Sequence, residues 1–353
     1  MVNILTVLTD CFFVDNNTEI VNKSELLNQK GKLNQTGWMR KPLLSYNREQ
    51  IAVGWHRIKE WDYFAILSDE FGITLTIADL GIMSLFNVVW LDFKEKTFIS
   101  KEETKLFSKG KTNLPHTSTS GITSYQGKNL SIHLDRNAGN FTLSIDFKNY
   151  SKGDLVAKFE LNFDPNADSI VMSTPWKNKP KHFYYNQKIN CIDVNGTVKI
   201  GEETIVFPTN NSFAVLDWGR GVWPYRDTWY WGSASGRLNG KLFGFNIGYG
   251  FGDPKGTENM IFYDGIGHKL DIVEFHIDSN NFLNSWKFTS NDGRFNMEFQ
   301  PIIDRNSVVN LLIFKSVQHQ VFGYFSGFVI LDNNEKLSVN NFLGFAEKVY
   351  NRW

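Results

Sequence analysis

The chain has 353 residues, enough for one large or two ordinary domains with a sizeable core. Hydrophobic residues make up 42% and charged residues 21%, a globular composition that argues against disorder. Lys+Arg and Asp+Glu balance at 37 each, so no basic excess exists to attract phosphate backbones, which argues against nucleic acid as a partner.

The aromatic content stands out, with 30 Phe, 12 Tyr and 11 Trp against 9 Pro, and aromatics favour pleated surfaces. Two cysteines, Cys11 and Cys191, give neither a disulfide framework nor a Cys-x-x-Cys metal pair. Met1 to Val14 is apolar but lacks a basic flank and is interrupted by Asp10, so it reads as an ordered N-terminal segment, not a signal peptide. No apolar run reaches the roughly 18 residues of a membrane span. A cytoplasmic location is the default expectation.

In chain order, residues 15 to 50 are polar and turn-rich and read as an irregular entry segment. From Trp55 the period becomes two. Thr74-Leu75-Thr76-Ile77 alternates, as does Phe141 to Phe147, and in Leu155 to Phe163 the apolar Ala157, Phe159, Leu161 and Phe163 oppose Lys158, Glu160 and Asn162. These are half-buried antiparallel strands separated by turn clusters such as Asp135 to Asn140. Glu19 to Asn28 and Lys101 to Lys109 are the best short helix candidates. The fold class expected is all-β, and many short strands with few short helices indicate antiparallel barrels or a sandwich.

A second half begins near Gly196, with strands recurring at Ile272–His276, Trp286–Phe288, Phe295–Phe299, Val308–Phe314 and Val321–Leu331, and a last strand from Gly344 to Trp353. The expected division is an N-terminal barrel over 1–195 and a C-terminal barrel over 196–353, each long enough for a closed sheet. No sequence repeat relates the two.

Asp217 to Asp264 concentrates the chemistry. Four tryptophans fall between Trp218 and Trp231, beside Asp217, Arg220, Tyr225 and Arg226. Ring faces with a few fixed polar groups suit a ligand pocket. Asp217 shares a strand face with Phe213 and Val215, where an unpaired acid would be costly. Arg220 is its nearest candidate partner, giving either a pocket carboxylate of tuned pKa or a structural bridge closing a turn. Trp229 and Trp231 share a face with Asp227, Ser233 and Ser235, and can serve as pocket wall or as core. In Phe243 to Gly250 one face is Phe, Phe, Ile, Tyr and the other Gly244, Asn246, Gly248 and Gly250. A glycine face means a bulge, a corner or a close approach. Glu258, beside Asn259, can pair with Arg220 or Arg226, work with Asp217 as an acid–base couple, or be a solvated loop carboxylate.

The seven histidines lack zinc spacing, so no metal site is indicated. Gly232-Ser233-Ala234-Ser235-Gly236 fails as a nucleophile elbow because its centre is Ala234. No dinucleotide or phosphate-loop fingerprint occurs.

Several segments resemble the bacterial and protist family of domain of unknown function 2804. They are Gly31-Lys32 with Gly37-Trp38-Met39-Arg40-Lys41-Pro42, Arg57 to Tyr63, Phe183 to Lys188, Asp217 to Tyr225, Trp229 to Gly236, Thr257-Glu258-Asn259 and Gln320 to Gly323. They run in order over nearly the whole chain and carry no catalytic assignment. More distantly, the layout resembles the double-calycin group of hydroxyneurosporene-type carotenoid hydratases, tocopherol cyclase and lipocalin-like pericyclases. That resemblance implies two consecutive lipocalin-like barrels and an apolar ligand held between them or in the second.

The expected function is cofactor-independent acid–base hydration or cyclisation of a small apolar, isoprenoid-like molecule. Asp217, Glu258 and Tyr225 are the candidate catalytic groups. Arg220, Trp223, Arg226, Trp229, Trp231, Asn246 and Asn259 are candidate binding residues. Two alternatives stand beside this: a non-enzymatic carrier of lipid or pigment, and a carbohydrate-active or carbohydrate-binding protein.

Overall fold

A computed structural model describes residues 18–176, 179–252, 257–310 and 315–352. The segment Met1 to Val14 with Cys11, the loop residues Asp253 to Gly256, the end of the expected Val308–Phe314 strand and Trp353 lie outside the described residues.

The fold is all-β, and no α-helix occurs among the described residues. Two 3-10 turns, Arg48–Gln50 and Trp55–Arg57, are the helical features. Both helix candidates are corrected. Within Glu19 to Asn28, Ser24–Glu25 pairs in parallel with Leu44–Ser45. Lys101 to Lys109 runs from Thr97–Leu106, an edge strand antiparallel to Met83–Asp92, into its turn. Its charges resemble a solvated helix face but belong to a mostly exposed sheet edge, where charge discourages pairing with other chains.

Ten strands form the main path of the first sheet. In hydrogen-bonded order they are Thr97–Leu106, Met83–Asp92, Phe71–Asp79, Ile58–Ser68, Ser212–Val222, Lys179–Ile200, Leu155–Asn162, Asn140–Phe147, Leu130–Asn137 and Ser120–Gln126. The second sheet runs Ile266–Lys269, Met260–Tyr263, Lys241–Tyr249, Arg226–Leu238, Lys336–Arg352, Lys315–Ile330, Phe295–Asn310, Trp286–Ser290 and Val273–His276. Both sheets curl into half-barrels. The alternation expected for Phe141 to Phe147 and Leu155 to Phe163 is present, with Phe141, Leu143, Ala157 and Leu161 buried and Lys158 and Glu160 exposed.

Glu203–Phe207 and Ser212–Val222 pair with Lys179–Ile200, so the sheets change over after Val222, later than the expected boundary at 195/196. The reason is visible in Ser212–Val222, which is buried along its whole length. Its Ala214, Leu216, Trp218 and Val222 join the core inside the first sheet, while Val215 joins a separate layer. A strand buried on both faces belongs in the middle of a sheet, not at the start of a new one.

That separate layer lies between the sheets and is strongly aromatic. Tyr63, Tyr184, Trp223, Trp231, Phe251, Phe322 and Phe345 are among its buried residues. The second sheet keeps its own core of Phe243, Phe245, Ile247, Phe288, Phe299 and Phe325. The glycine face opposite Phe243, Phe245 and Ile247 is a close approach: a Cβ on Gly244 would lie 2.7 Å from Cys191 Sγ and 2.6 Å from the Ala234 carbonyl. Gly244→Ala is therefore expected to destabilise the protein by about 1–3 kcal/mol, the usual range for overpacking. Urea unfolding checks it; an unchanged midpoint would show that the sheets separate without cost.

Candidate functional site

Lys188 lies at the centre of the candidate site. It sits in Lys179–Ile200 between Ile189 and Gln187, and its side chain is 1% exposed. In register it pairs with Asp217, which in turn pairs with Tyr63 of Ile58–Ser68. The ammonium is 2.7 Å from Asp217 Oδ2 and 3.8 Å from Glu258 Oε1, and lies 4.1 Å from the centre of the Trp231 ring. An ammonium over an indole face is favourable, more so where water is excluded.

Each carboxylate is held differently. Asp217 Oδ2 also accepts from Trp61 Nε1 at 3.0 Å, and its Oδ1 is buried without a hydrogen bond. Trp61 reaches it across Gly219, where a Cβ would stand 2.2 Å from the indole ring. Glu258 Oε2 accepts from Asn186 Nδ2 at 2.5 Å, and Asn186 Oδ1 accepts from the Met172 amide at 3.0 Å, which fixes the amide orientation. Asn246 takes a 2.7 Å bond from Trp231 Nε1 and donates at 2.7 Å to the Glu258 carbonyl, so one side chain positions both the ring and the acid. Asn259 clips the same loop, accepting from the Gly248 amide and donating to the Asp271 carbonyl, both at 2.7 Å.

A third carboxylate lies on the closing strand. Glu347 accepts from Trp229 Nε1 and from Gln320 Nε2, each at 3.0 Å. Burial pushes Glu258 up to about 7, opposed by Lys188 and reinforced by the Asp217 charge. Burial likewise raises Glu347 to about 7, opposed by the Trp229 hydrogen bond and by Lys188. Two of the three acids therefore exchange protons near neutrality, as acid–base groups must.

The sign of the stability effect follows. Glu258 rises from an ordinary 4.5 to about 7, so between those values the folded chain holds a proton that the unfolded chain has released. Its contribution is most favourable below 4.5 and is lost as pH rises through about 7, on the order of 3 kcal/mol. In denaturant titrations from acid to neutral pH, Glu258→Gln is expected to gain stability relative to the parent as pH rises. A constant difference across that range would mean that Glu258 titrates normally.

The structure brings together Asp217, Glu258, Trp223, Trp229, Trp231 and Asn246, with Asn259 behind Glu258. The Trp223 ring is 5.2 Å from that of Trp229 and 5.5 Å from that of Trp61. Arg220 is not among them. Three residues from Asp217 along a strand it points the opposite way, into the first sheet's interior. There Nη1 bonds Asp62 at 3.0 Å and the Trp61 carbonyl at 2.7 Å, while Nη2 bonds the Pro115 carbonyl at 2.9 Å. Asp62 is shared with Arg136. This is a structural ion network. Tyr225 and Arg226 sit at the changeover between sheets and are exposed, Tyr225 to 38%, so they do not gather with the buried Lys188, Asp217 and Glu258.

A family model for a domain of unknown function, DUF2804, matches residues 17–353. The chain belongs to the DUF2804 family. No curated protein matches it. Among solved structures it is similar to an AttH candidate from Nitrosomonas europaea, at 12% identity and TM-score 0.50, covering 88% of this chain and 96% of that one. It is also similar to kievitone hydratase from Nectria haematococca, at 11% identity, TM-score 0.48, and coverage of 94% and 98%. A third, CghA, is 9% identical with TM-score 0.42 and coverage of 84% and 88%. The first of these shows a shared fold for this DUF2804 chain.

Sequence reading missed Lys188, Glu347, Trp61 and Asn186. Lys188 and Asn186 fall inside a recognised family segment, Phe183 to Lys188, and Trp61 inside another, Arg57 to Tyr63. Glu347 shares a strand face with Phe345 and Val349, both buried, the same pattern that flagged Asp217. The cleft of about 320 Å³ lined by Lys41, Asp168, Asn190, Cys191, Leu242 and Phe262 contains none of the expected site residues. Its walls carry Lys41 with Asp164 and Asp168, without the tryptophan faces that surround Lys188.

Proposed function

We propose that this DUF2804 protein is an enzyme that hydrates or cyclises a small, largely apolar molecule by acid–base chemistry at Asp217 and Glu258. The observation that carries the reading is the buried Lys188–Asp217–Glu258 group set against the faces of Trp231, Trp223 and Phe251. In hydration, protonated Glu258 gives its proton to one carbon of a double bond. Water then adds to the other carbon, and the proton that water releases restores the acid. The indole faces and the Asp217 carboxyl group stabilise the positive charge that develops between those events. In cyclisation a second double bond replaces water, and the proton leaves from carbon instead. Lys188 holds Asp217 in place while Glu258 cycles.

The site is closed, with Lys188, Glu258 and Trp231 all buried, so a ligand enters only by moving rings of this layer. A buried, ring-lined site favours an apolar substrate over a sugar, whose glycosidases set two carboxylates across an open groove.

The test is mass spectrometry of the native protein and then of its organic-solvent extract. A co-purifying unsaturated apolar molecule that the protein converts on incubation supports the reading. The same molecule bound and returned unchanged makes the protein a carrier. Retention of oligosaccharides on a glycan screen, with no apolar ligand, overturns it.

A further inference from the structure

We propose that one end of the first sheet is a docking surface for an anionic membrane. Register places five segments at this end. Ile58 pairs with Val222, and Val222 with Phe183, so the chain before Ile58, the chain after Val222 and the strand residues Lys179 to His182 stand together. Asp79 pairs with Glu60 and Ser84, and Met83 with Leu106, which adds the 80–82 turn and the chain after Leu106.

These segments expose a tight apolar group: Trp55 at 38%, Ile82 at 37%, Leu106 at 73% and Phe107 at 64%. They are joined by the backbone. The Phe107 amide bonds the Ile82 carbonyl at 2.6 Å and the Lys109 amide bonds the Gly81 carbonyl at 3.0 Å. Asp79, fully buried, ties the two turns by accepting from the Gly81 and Gly110 amides and from Ser108 and Thr112. The tip is thus built from within and does not need its exposed side chains for stability. Phe107 has φ +56°, unfavourable for a bulky residue, and it spends that strain holding a ring in solvent.

Exposed cations stand around this group. Lys109 lies 5.0 Å from the Trp55 ring, Lys111 is exposed on the same turn, and Lys179, Lys181 and Arg226 are exposed at the starts of their strands. In a chain with no net charge, a basic ring around exposed Trp, Phe, Leu and Ile matches an anionic lipid surface, where rings sit among head groups and lysines meet phosphates. The changeover that carries Trp223 leaves from this same end, and Lys188 lies five residues further in along its strand, about 17 Å. A molecule dissolved in the bilayer would meet the protein at the edge of the aromatic layer.

The test is co-sedimentation of the full chain with phosphatidylcholine vesicles, with and without phosphatidylserine at about a third of the lipid. The parent should partition onto the anionic vesicles and be released by salt. The double variant Leu106→Gln, Phe107→Asn should partition on the order of tenfold less. It should stay folded, because Asn tolerates positive φ better than Phe. Lys109→Gln and Lys111→Gln should each cost about fivefold, and Ile266→Gln on the second sheet should change nothing. A parent that remains in the supernatant, or a double variant that binds as the parent does, overturns the proposal. So does concentration-dependent dimerisation abolished by the double variant without vesicle binding, which would make the patch an interface between copies of the chain.

Discussion

Asp217→Asn should reduce turnover by about 100- to 1,000-fold, the effect of removing one group that stabilises charge in the transition state, while the protein stays folded. The retained fold follows from how Asp217 is held. Its Oδ2 takes the Lys188 ion pair and the Trp61 hydrogen bond, and Oδ1 has no hydrogen-bond partner. An asparagine can keep its carbonyl oxygen toward Lys188 and Trp61 and place its amide where Oδ1 was. The volume is unchanged, and Glu258 remains to face the ammonium at 3.8 Å. The measurements are turnover of the extracted ligand and circular dichroism of the variant. Loss of turnover with a native spectrum supports a chemical role. A protein that unfolds would make Asp217 structural, and full turnover would move the chemistry to Glu258 and Glu347.

Lys188→Met should be the most destabilising change at the site, by about 3–5 kcal/mol above neutral pH, because it leaves buried carboxylates without their cation. The loss should shrink as pH falls. Glu258 and Glu347 are already raised to about 7 by burial, and Lys188 opposes that rise in both. Without it they hold protons to still higher pH, and below it both are neutral and need no partner. Urea unfolding at mildly acidic and at alkaline pH reads this directly. An equal loss at both would mean that Lys188 acts through its packing on Trp231, and the proton-sharing argument would fail with it.

Much of the fold was legible in the sequence. Period-two alternation marks Phe141 to Phe147 and Leu155 to Phe163 without ambiguity, because one face of each strand is wet. The same logic fails at Lys101 to Lys109, where both faces are largely exposed and no apolar period remains. It fails differently at Ser212–Val222. There both faces are buried, so alternation cannot say which side meets which core or where one sheet hands over to the next.

The site divides along the same line. Local order along one strand established that Asp217 is an acid on an apolar face, that Trp229 and Trp231 point together, and that Gly244 and Gly248 make room for a neighbour. These depend only on alternation and side-chain size. Arg220 was assigned as the partner of Asp217 because it is near in sequence, yet three residues along a strand reverse the direction of a side chain. Which cation meets Asp217 depends on which strand lies beside it. Lys188 stands 29 positions earlier in the chain and Glu347 130 positions later. Only the stacking of two curled sheets brings them to one buried layer, and only burial there lifts two of its carboxylates to about 7.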